Sequence, residues 1–157
     1  MTPKIFDYRN SGELMHLRDK ASRFDWALAD DAALDMMQEC CDTLYQMVRD
    51  DPKAAGLAAN QIGYNLSVFV AKHNGLIYTF INPVITKRQG KVKSVEGCLS
   101  IPDRRVCVTR ARKVTVEYHT DNGANRTMTY DGDLALIIQH EMDHLNGVLM
   151  IDYEARS

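Results

Sequence analysis

Residues 131–147 read DGDLALIIQHEMDHLNG, and their pattern predicts a helix that begins near Asp131 and ends near Asn146. Apolar residues recur along it at steps of three and four, which places them on one side of a helix. Gly147 follows and suits the left-handed position that often ends a helix. Because so apolar a helix is expected to be largely buried, we place it at the centre of the fold. Its apolar side comprises Leu134, Ile137, Ile138, Met142 and Leu145.

Two histidines on this predicted helix are spaced to share a metal ion. His140 and His144 are four residues apart, so they lie on one helix face about one turn from each other. Glu141 sits next to one of them, where a carboxylate can reach a water molecule at the metal without ligating the metal. A polar stripe on a surface helix is the alternative, but the apolar residues around the motif argue against it. The pattern therefore predicts a metal site of the HExxH type.

A third ligand is needed, because a catalytic metal commonly takes three protein ligands and leaves one position open. Few residues follow His144, and the acids among them, Asp152 and Glu154, sit close to the end of the sequence. The third ligand is therefore expected upstream. The remaining histidines have no supporting motif and are expected at surface or turn positions: His16, His73 and His119.

Cys98 is the best upstream candidate. It lies in VEGCLSIP, residues 95–102, where Gly97 allows the backbone to bend and Pro102 ends the segment. A thiol at such a bend can be aimed at a helix that crosses beneath it. Cys107 lies instead in an alternating segment and is explained as a strand residue. The sequence thus predicts a site made of one thiolate and two imidazoles.

The rest of the chain predicts one more long helix and several strands. Residues 31–49 have an amphipathic pattern, with Asp30 or Asp31 as its cap and Cys40 and Cys41 on or beside the core face. Together these features predict an α+β fold, in which mostly antiparallel or mixed β-sheets pack around the central HExxH helix, with one N-terminal amphipathic helix. The predicted strands are 66–71, 77–82, 84–86, 91–95, 106–109, 114–118 and 126–130, followed by a strand-like tail at 148–152.

Length and charge restrict the classes of protein to consider. The 157 residues are predicted to form a single catalytic domain, 1–157, and their net charge of −2 gives no basic surface for nucleic acid. No apolar run is long enough for a transmembrane helix, and the N-terminus has no secretory pattern. We therefore expect a cytoplasmic protein, in a bacterial cytosol or in a host cytosol if the source is viral, with no membrane or nucleic-acid partner. Its four cysteines are not expected to pair in that reducing compartment.

Three segments, in this order, resemble the motifs of the peptide deformylase family. They are AAGLAANQ at 54–61, EGCLS at 96–100 and HEMDH at 140–144, against the family patterns GφGφAAxQ, EGCφS and HEφDH. The resemblance covers about residues 30–153 and implies an α+β fold with a mixed sheet around the HExxH helix. It also implies Fe²⁺ as the cofactor, with Ni²⁺, Co²⁺ or Zn²⁺ able to occupy the site. The implied reaction removes the formyl group from the formyl-methionine of nascent polypeptides and releases formate.

The resemblance also implies roles for individual residues. Glu141 would be the general acid and base, and Gln61 with the backbone N–H of Leu99 would stabilise the oxyanion. The partner would be an N-formyl-methionyl peptide, met in transient proximity to the ribosome. The implied metal ligands are Cys98, His140 and His144. The implied substrate-binding residues are Ala55, Gly56, Glu96, Arg105, Asp133, Leu136 and Ile137.

Two residues depart from the family pattern. Ala54 replaces the first glycine of the opening motif, which matters only if that position needs a positive φ, where alanine is strained. Asp133 stands where the family usually has an apolar residue, and it projects on nearly the same helix face as His140. Asp133 could cap the helix, as Asp131 could equally well, or it could reach the methionine pocket and shift the preference toward smaller or more polar side chains.

Two other functions are compatible with these motifs. An HExxH metallopeptidase would cleave internal peptide bonds and use a third ligand other than Cys98. A divergent relative of the deformylases would keep the metal only to hold its fold, with altered or no activity. Glu141 and Gln61 argue against this second function, because a structural metal site needs neither of them.

Overall fold

The computed structural model describes residues 2–156, and side chains are described for residues 2–154, so the ends of the predicted domain 1–157 lie outside this range. The described chain has an α+β fold with mostly antiparallel sheets. Its helices are α1 (Ser11–Arg18), α2 (Asp31–Asp50) and α3 (Asp133–Leu145), with short 3₁₀ segments at Ala59–Gln61 and Met150–Arg156. Its strands are β1 (Gly56–Ala58), β2 (Val68–His73), β3 (Leu76–Gln89), β4 (Val92–Cys98), β5 (Ile101–Arg110), β6 (Lys113–His119) and β7 (Asn125–Asp131).

The strands form two separate antiparallel units. One is a five-stranded sheet in the order β1-β2-β3-β6-β7, and the other is a ribbon of β4 and β5. β1 is therefore an edge strand, whose only strand partner in the described residues is β2. Both long helices contact the sheet at this end, α3 against β1 and β2 and α2 against β1, β2 and β3. The edge strand β1 lies within the motif AAGLAANQ, and the ribbon carries the motif EGCLS at the end of β4.

The ends of α3 are set by two glycines in the left-handed region. Gly132 precedes the helix with a φ of 67°, and no side chain caps the first turn. The expectation that Asp133 or Asp131 caps the helix is wrong, because Asp133 is already the first helical residue and the cap position belongs to a glycine. Gly147 follows the other end with a φ of 73°, and a side chain there would collide with the backbone oxygen of Arg18. α3 contributes four apolar side chains to the core: Leu134, Ala135, Ile138 and Leu145.

α2 matches the long helix predicted over residues 31–49. Its cap is Asp30, whose carboxylate accepts a hydrogen bond from the backbone N–H of Ala33 at 2.8 Å. Cys40 and Cys41 are buried in the cluster that joins α2 to the sheet, as predicted. None of the helices in the described part of the chain is long and apolar enough to cross a lipid bilayer.

β3 joins two predicted strands, 77–82 and 84–86, into one strand with a local irregularity in its pairing to β6. At this irregularity Asn82 has a φ of 52°, a conformation that asparagine tolerates better than most residues. The buried Asn82 side chain accepts a hydrogen bond from the N–H of Phe24 and donates one to the carbonyl of Phe24, both at 2.8 Å. The irregularity therefore anchors the N-terminal arm on the sheet.

Two terminal elements differ from the prediction. The tail at 148–152 is not a strand, because the chain forms the 3₁₀ segment Met150–Arg156 there. Leu149 and Met150 are adjacent and both buried, which the alternation of a half-exposed strand does not allow. The Asp152 carboxylate accepts a hydrogen bond from the Leu149 N–H at 2.9 Å and stabilises this local turn. α1 is absent from the prediction because it buries one side chain and so has no apolar period.

Candidate metal centre and active site

Three potential metal ligands from two elements converge at one point. Cys98 ends β4, while His140 and His144 lie on α3. The Cys98 Sγ and one ring nitrogen from each histidine all lie within 4.8 Å of one another. The Cys98 Sγ is 3.2 Å from Nε2 of His144, and the centroids of the two imidazole rings are 5.1 Å apart. No other group of three such ligands occurs among residues 2–154 of the structure.

A buried ion pair orients His140. Its Nδ1 lies 2.9 Å from a carboxylate oxygen of Glu96, which leaves Nε2 as the nitrogen that can face a metal. Arg110 donates two hydrogen bonds to the same carboxylate, at 2.8 and 2.7 Å. Burial alone would raise the pKa of Glu96, but the hydrogen bonds from Arg110 and His140 outweigh it and lower the pKa to about 2. Glu96 is therefore ionised at neutral pH and fixes the ring of His140.

The two imidazoles have opposite electrostatic surroundings. Burial lowers the pKa of His144 well below its usual value, and the charge of nearby His140 adds to this effect. Burial also acts to lower the pKa of His140, but its hydrogen bonds with Cys98 and Glu96 outweigh burial and raise the pKa. Metal ligands bind in their deprotonated forms, so a divalent cation would take the place of the proton held among these donors. One sulfur and two nitrogens suit a transition metal of intermediate softness.

Glu141 is buried beside the ligand group, and its Oε1 has no hydrogen-bond partner among the described residues. A buried carboxylate oxygen without a partner costs free energy, and it indicates a group that engages a ligand or a reacting molecule. Burial raises the pKa of Glu141 to about 7. A carboxyl group with a pKa near neutrality can both accept and return a proton. The donor set and this carboxyl group together fit a catalytic metal site.

Gly56 of β1 leaves the space that the Glu141 carboxylate occupies. A Cβ atom at Gly56 would lie 2.7 Å from Oε2 of Glu141 and 2.9 Å from the backbone oxygen of Val70. Any side chain there would displace the carboxylate, so this position needs glycine. Ala54, at the departure from the family pattern, is buried and does not have a positive φ. Alanine therefore serves there as a small residue without strain.

Gln61 presents its amide nitrogen to the ligand group. Its Oε1 accepts a hydrogen bond from the N–H of Ala58 at 2.9 Å, and its Nε2 donates to Oγ of Ser100 at 3.0 Å. The same Nε2 lies 3.8 Å from the Sγ of Cys98. Because the oxygen is anchored on the backbone, the N–H₂ group must face the ligands. Leu99 follows Cys98 directly, in the bend between β4 and β5.

Two of the three potential ligands, Cys98 and His140, line a cavity of about 640 Å³, and His144 is buried next to Cys98. All of the predicted substrate-binding residues line this cavity: Ala55, Gly56, Glu96, Arg105, Asp133, Leu136 and Ile137. Asp133 is an exposed part of the lining, whereas Leu136 and Ile137 are half-buried on the same helix. The lining also contains residues that were not predicted to belong to the site, among them Lys53, His73, Ser94, Val95 and Pro102. His73, which was expected at a surface or turn position, is the half-buried last residue of β2 and lines the cavity, because β2 pairs with β1.

Two residues near the centre were also missed by the sequence analysis. Arg110, at the end of β5, holds Glu96 and also lies 2.7 Å from the carboxylate of Asp143. Asp143 is the fourth residue of HEMDH, so its place inside that motif is a signal that could have drawn attention to it. Arg110 has no comparable signal, because its partners are distant along the chain.

Known proteins resemble this chain along nearly its whole length. The model of the polypeptide deformylase family matches residues 4–157. A peptide deformylase of Borreliella burgdorferi is 46% identical over 101 residues, an alignment that covers 62% of this chain and 61%, less than two thirds, of that protein. Peptide deformylase 2 of Xanthomonas campestris is 38% identical over 140 residues, which covers 87% of this chain and 80% of that protein. The crystal structure of the peptide deformylase from Thermotoga maritima is similar with a TM-score of 0.79 at 29% identity and covers 97% of both chains.

Proposed function

Because the chain belongs to the polypeptide deformylase family, we propose that it hydrolyses the formyl group from the N-terminal formyl-methionine of nascent polypeptides and releases formate. The observation that carries this proposal is the convergence of a thiol and two imidazoles at one point, next to a cavity that a buried carboxyl group and a side-chain amide also line. In this proposal the protein meets its substrate, an N-formyl-methionyl peptide, in the cytosol and in transient proximity to the ribosome.

The ligands in this proposal are Cys98, His140 and His144, and the metal is Fe²⁺, for which Ni²⁺, Co²⁺ or Zn²⁺ can substitute. A thiolate makes the donor set softer than three histidines would, which suits Fe²⁺ and makes the site sensitive to oxidation. When bound, such an ion lowers the pKa of water and polarises a carbonyl oxygen. As the central helix, α3 fixes the spacing of both imidazoles and of Glu141 through its backbone, and the amphipathic helix α2 supports the sheet behind β1.

Glu141 moves the protons of the reaction. Its carboxylate takes a proton from the attacking water and gives it to the amine nitrogen as the C–N bond breaks. Oε2 of the carboxylate lies against Gly56 in the cavity lining and Oε1 has no hydrogen-bond partner among the described residues, so the carboxylate is available to the reacting atoms. The raised pKa of Glu141 suits a group that must hold a proton between these two steps.

Gln61 and Leu99 stabilise the negative charge that grows on the former carbonyl oxygen. The Gln61 Nε2 is already oriented by the anchoring of Oε1 on Ala58, so no reorganisation is needed when the charge develops. The backbone N–H of Leu99 is the second donor. Loss of one such donor typically raises the barrier by roughly 3 kcal/mol.

The peptide backbone of the substrate lies along the edge strand β1. Small residues at Ala55 and Gly56 allow a peptide to approach and pair as an added strand. The methionine side chain enters the part of the cavity lined by Leu136 and Ile137 of α3. Asp133, at the exposed end of this lining, makes the pocket more polar than an apolar residue would and shifts the preference toward smaller or more polar side chains.

Two charged lining residues have different roles in this proposal. The Glu96 carboxylate is held by Arg110 and His140, so it acts on the reaction indirectly, by fixing the metal ligand His140. Arg105 makes no ion pair among the described residues and lies close to Gly97, so its guanidinium is available to contact the bound peptide.

The test is anaerobic incubation of the Fe²⁺- or Ni²⁺-loaded protein with a formyl-Met peptide, with formate as the product measured. We expect formate and a free N-terminal methionine, and no internal cleavage. Glu141→Ala should stay folded and metal-loaded but release no formate, while an acetyl-Met peptide serves as the matched control substrate.

Each alternative function predicts a different result in the same assay. Internal cleavage of the peptide without formate would identify a metallopeptidase. A metal-loaded wild-type protein that neither releases formate nor cleaves the peptide would identify a divergent relative in which the metal only holds the fold. Either result contradicts the proposed deformylation.

A further inference from the structure

A tyrosine of the C-terminal 3₁₀ segment is linked to the metal centre through buried charges. The hydroxyl of Tyr153 donates a hydrogen bond to a carboxylate oxygen of Asp143 at 2.7 Å. The guanidinium carbon of Arg110 stands 5.1 Å from the centre of the Tyr153 ring, within the range of a cation–π contact. Tyr153 is half-buried, so both contacts are partly shielded from water.

Arg110 carries this link onward to His140. One of its N–H groups donates to the same Asp143 oxygen that Tyr153 contacts, at 2.7 Å. Its other two donors hold the Glu96 carboxylate, and one oxygen of Glu96 accepts from Nδ1 of His140 at 2.9 Å. Arg110 is nearly fully buried, with 5% of its side chain exposed. A buried guanidinium has few alternative partners, so a change at Asp143 that moves Arg110 also changes its hydrogen bonds to Glu96.

We propose that Tyr153 is a positioning residue for the metal ligand His140, acting through Asp143, Arg110 and Glu96. Its hydroxyl and ring hold Arg110 in the orientation that fixes Glu96, and Glu96 fixes the tautomer and plane of the His140 ring. Residues that hold a metal ligand without contacting the metal affect the metal affinity as well as the geometry of the site. The proposal rests on the assignment of His140 as a ligand in the proposed function.

The competing explanation gives Tyr153 a structural role only. Its segment also packs against an apolar cluster that includes Leu17, Ile101 and Leu149, so the ring could serve merely to hold the chain end on the fold. A structural role predicts a lower free energy of unfolding and no change at the metal. The two explanations therefore separate on the rate at which the metal leaves the folded protein.

The experiment measures the dissociation of Co²⁺ from the folded, Co²⁺-loaded protein. A chelator in excess captures the ion, and the loss of the thiolate-to-cobalt absorption band gives the rate. For Tyr153→Leu we expect dissociation about tenfold faster, at the low end of the range for outer partners, and for Tyr153→Phe, which keeps the ring, about threefold faster. The matched control is Tyr64→Phe, because the Tyr64 hydroxyl also donates to a carboxylate, that of Glu39 on α2, at 3.1 Å. Tyr64→Phe should leave the rate unchanged.

A double variant tests whether the effect travels through Glu96. In a Glu96→Gln background the added change Tyr153→Phe should no longer alter the dissociation rate, since the link is already broken. An unchanged rate in Tyr153→Phe, an equal increase in Tyr64→Phe, or full additivity with Glu96→Gln would each overturn the proposal. The readout does not depend on turnover, so a protein that released no formate but showed the coupled cobalt rates would disprove the deformylation and keep this inference.

Discussion

The cysteine side chains of α2 and the cysteine at the end of β4 have opposite environments, the first apolar and the second polar. Cys40 and Cys41 are packed in the apolar cluster beneath the sheet, where burial raises the pKa of Cys41 to about 12. The Cys98 sulfur instead faces the Nε2 of His144 and the amide of Gln61. A thiolate needs such partners or a metal, so the surroundings and not the residue type decide which cysteine carries chemistry.

Exchange of the thiols gives the largest expected contrast between the two regions. Cys98→Ala should lower metal affinity by at least about a hundredfold, beyond what loss of an outer partner causes. Cys40→Ala should keep one metal per chain and lower the free energy of unfolding by about 1–2 kcal/mol through the lost packing. Metal content after dialysis and unfolding by urea measure the two effects. Equal metal loss in both variants would remove the distinction.

The metal centre should also be the acid-sensitive region, because it contains a buried carboxylate in an ion pair. The pKa of Glu96 falls from 4.5 to about 2 on folding, so its contribution is complete above pH 4.5 and is lost as the pH falls through 2. In the metal-free protein this amounts to about 3 kcal/mol. Glu96→Gln should flatten the dependence of the free energy of unfolding on pH between these values. Parallel curves for both proteins, measured by urea unfolding, would contradict this assignment.

A smaller change tests how closely β1 fits the catalytic carboxyl group. Gly56→Ala places a methyl group 2.7 Å from the Glu141 Oε2 and should lower kcat/KM for deformylation about a hundredfold by displacing it. Gly12→Ala, on α1, is the matched control, because the added methyl group would meet only the Asn10 side chain at 3.4 Å, and it should leave kcat/KM unchanged. Kinetics on a formyl-Met peptide decide the point. A fully active Gly56→Ala enzyme would show that the carboxylate does not depend on this space.

The smallest expected effect concerns the pocket. Asp133→Leu should raise the ratio of kcat/KM for formyl-methionyl over formyl-alanyl peptides several-fold, since an apolar contact of this size contributes about 1 kcal/mol. The residue lies on the exposed part of the lining, so folding should be unaffected. An unchanged ratio would show that Asp133 does not contact the substrate side chain.

Features that depend on local spacing could be predicted from the sequence. His140 and His144 share a helix face because of their four-residue step, and the structure brings Cys98 to them. α2 also has its predicted cap and core face, because a long helix repeats its apolar pattern many times. Strands β2 to β7 correspond to predicted strands, although two predicted strands are joined into β3 at Asn82, whose left-handed conformation a pattern of alternation does not reveal. The edge strand β1 was not predicted, because its three residues show neither alternation nor β-branched side chains.

Features that depend on distant contacts could not be predicted. Arg110 meets Asp143 and Tyr153 through tertiary packing, and nothing in the sequence near Arg110 indicates these partners. Asp133 was open to two explanations because a sequence does not say that Gly132 takes the cap position. The apolar run at 148–152 predicts a strand, but a run this short is compatible with a strand or with a helical turn. The burial of the adjacent Leu149 and Met150 excludes a half-exposed strand.

The central claim is that one thiolate and two imidazoles hold the same ion. X-ray absorption spectroscopy of the Zn²⁺-loaded protein tests it most directly. We expect one sulfur at about 2.3 Å and two imidazole nitrogens at about 2.0–2.1 Å from the zinc, with a lighter atom in the remaining position. A spectrum without a sulfur neighbour, or one in which Cys98→Ala leaves the sulfur signal unchanged, would contradict the account.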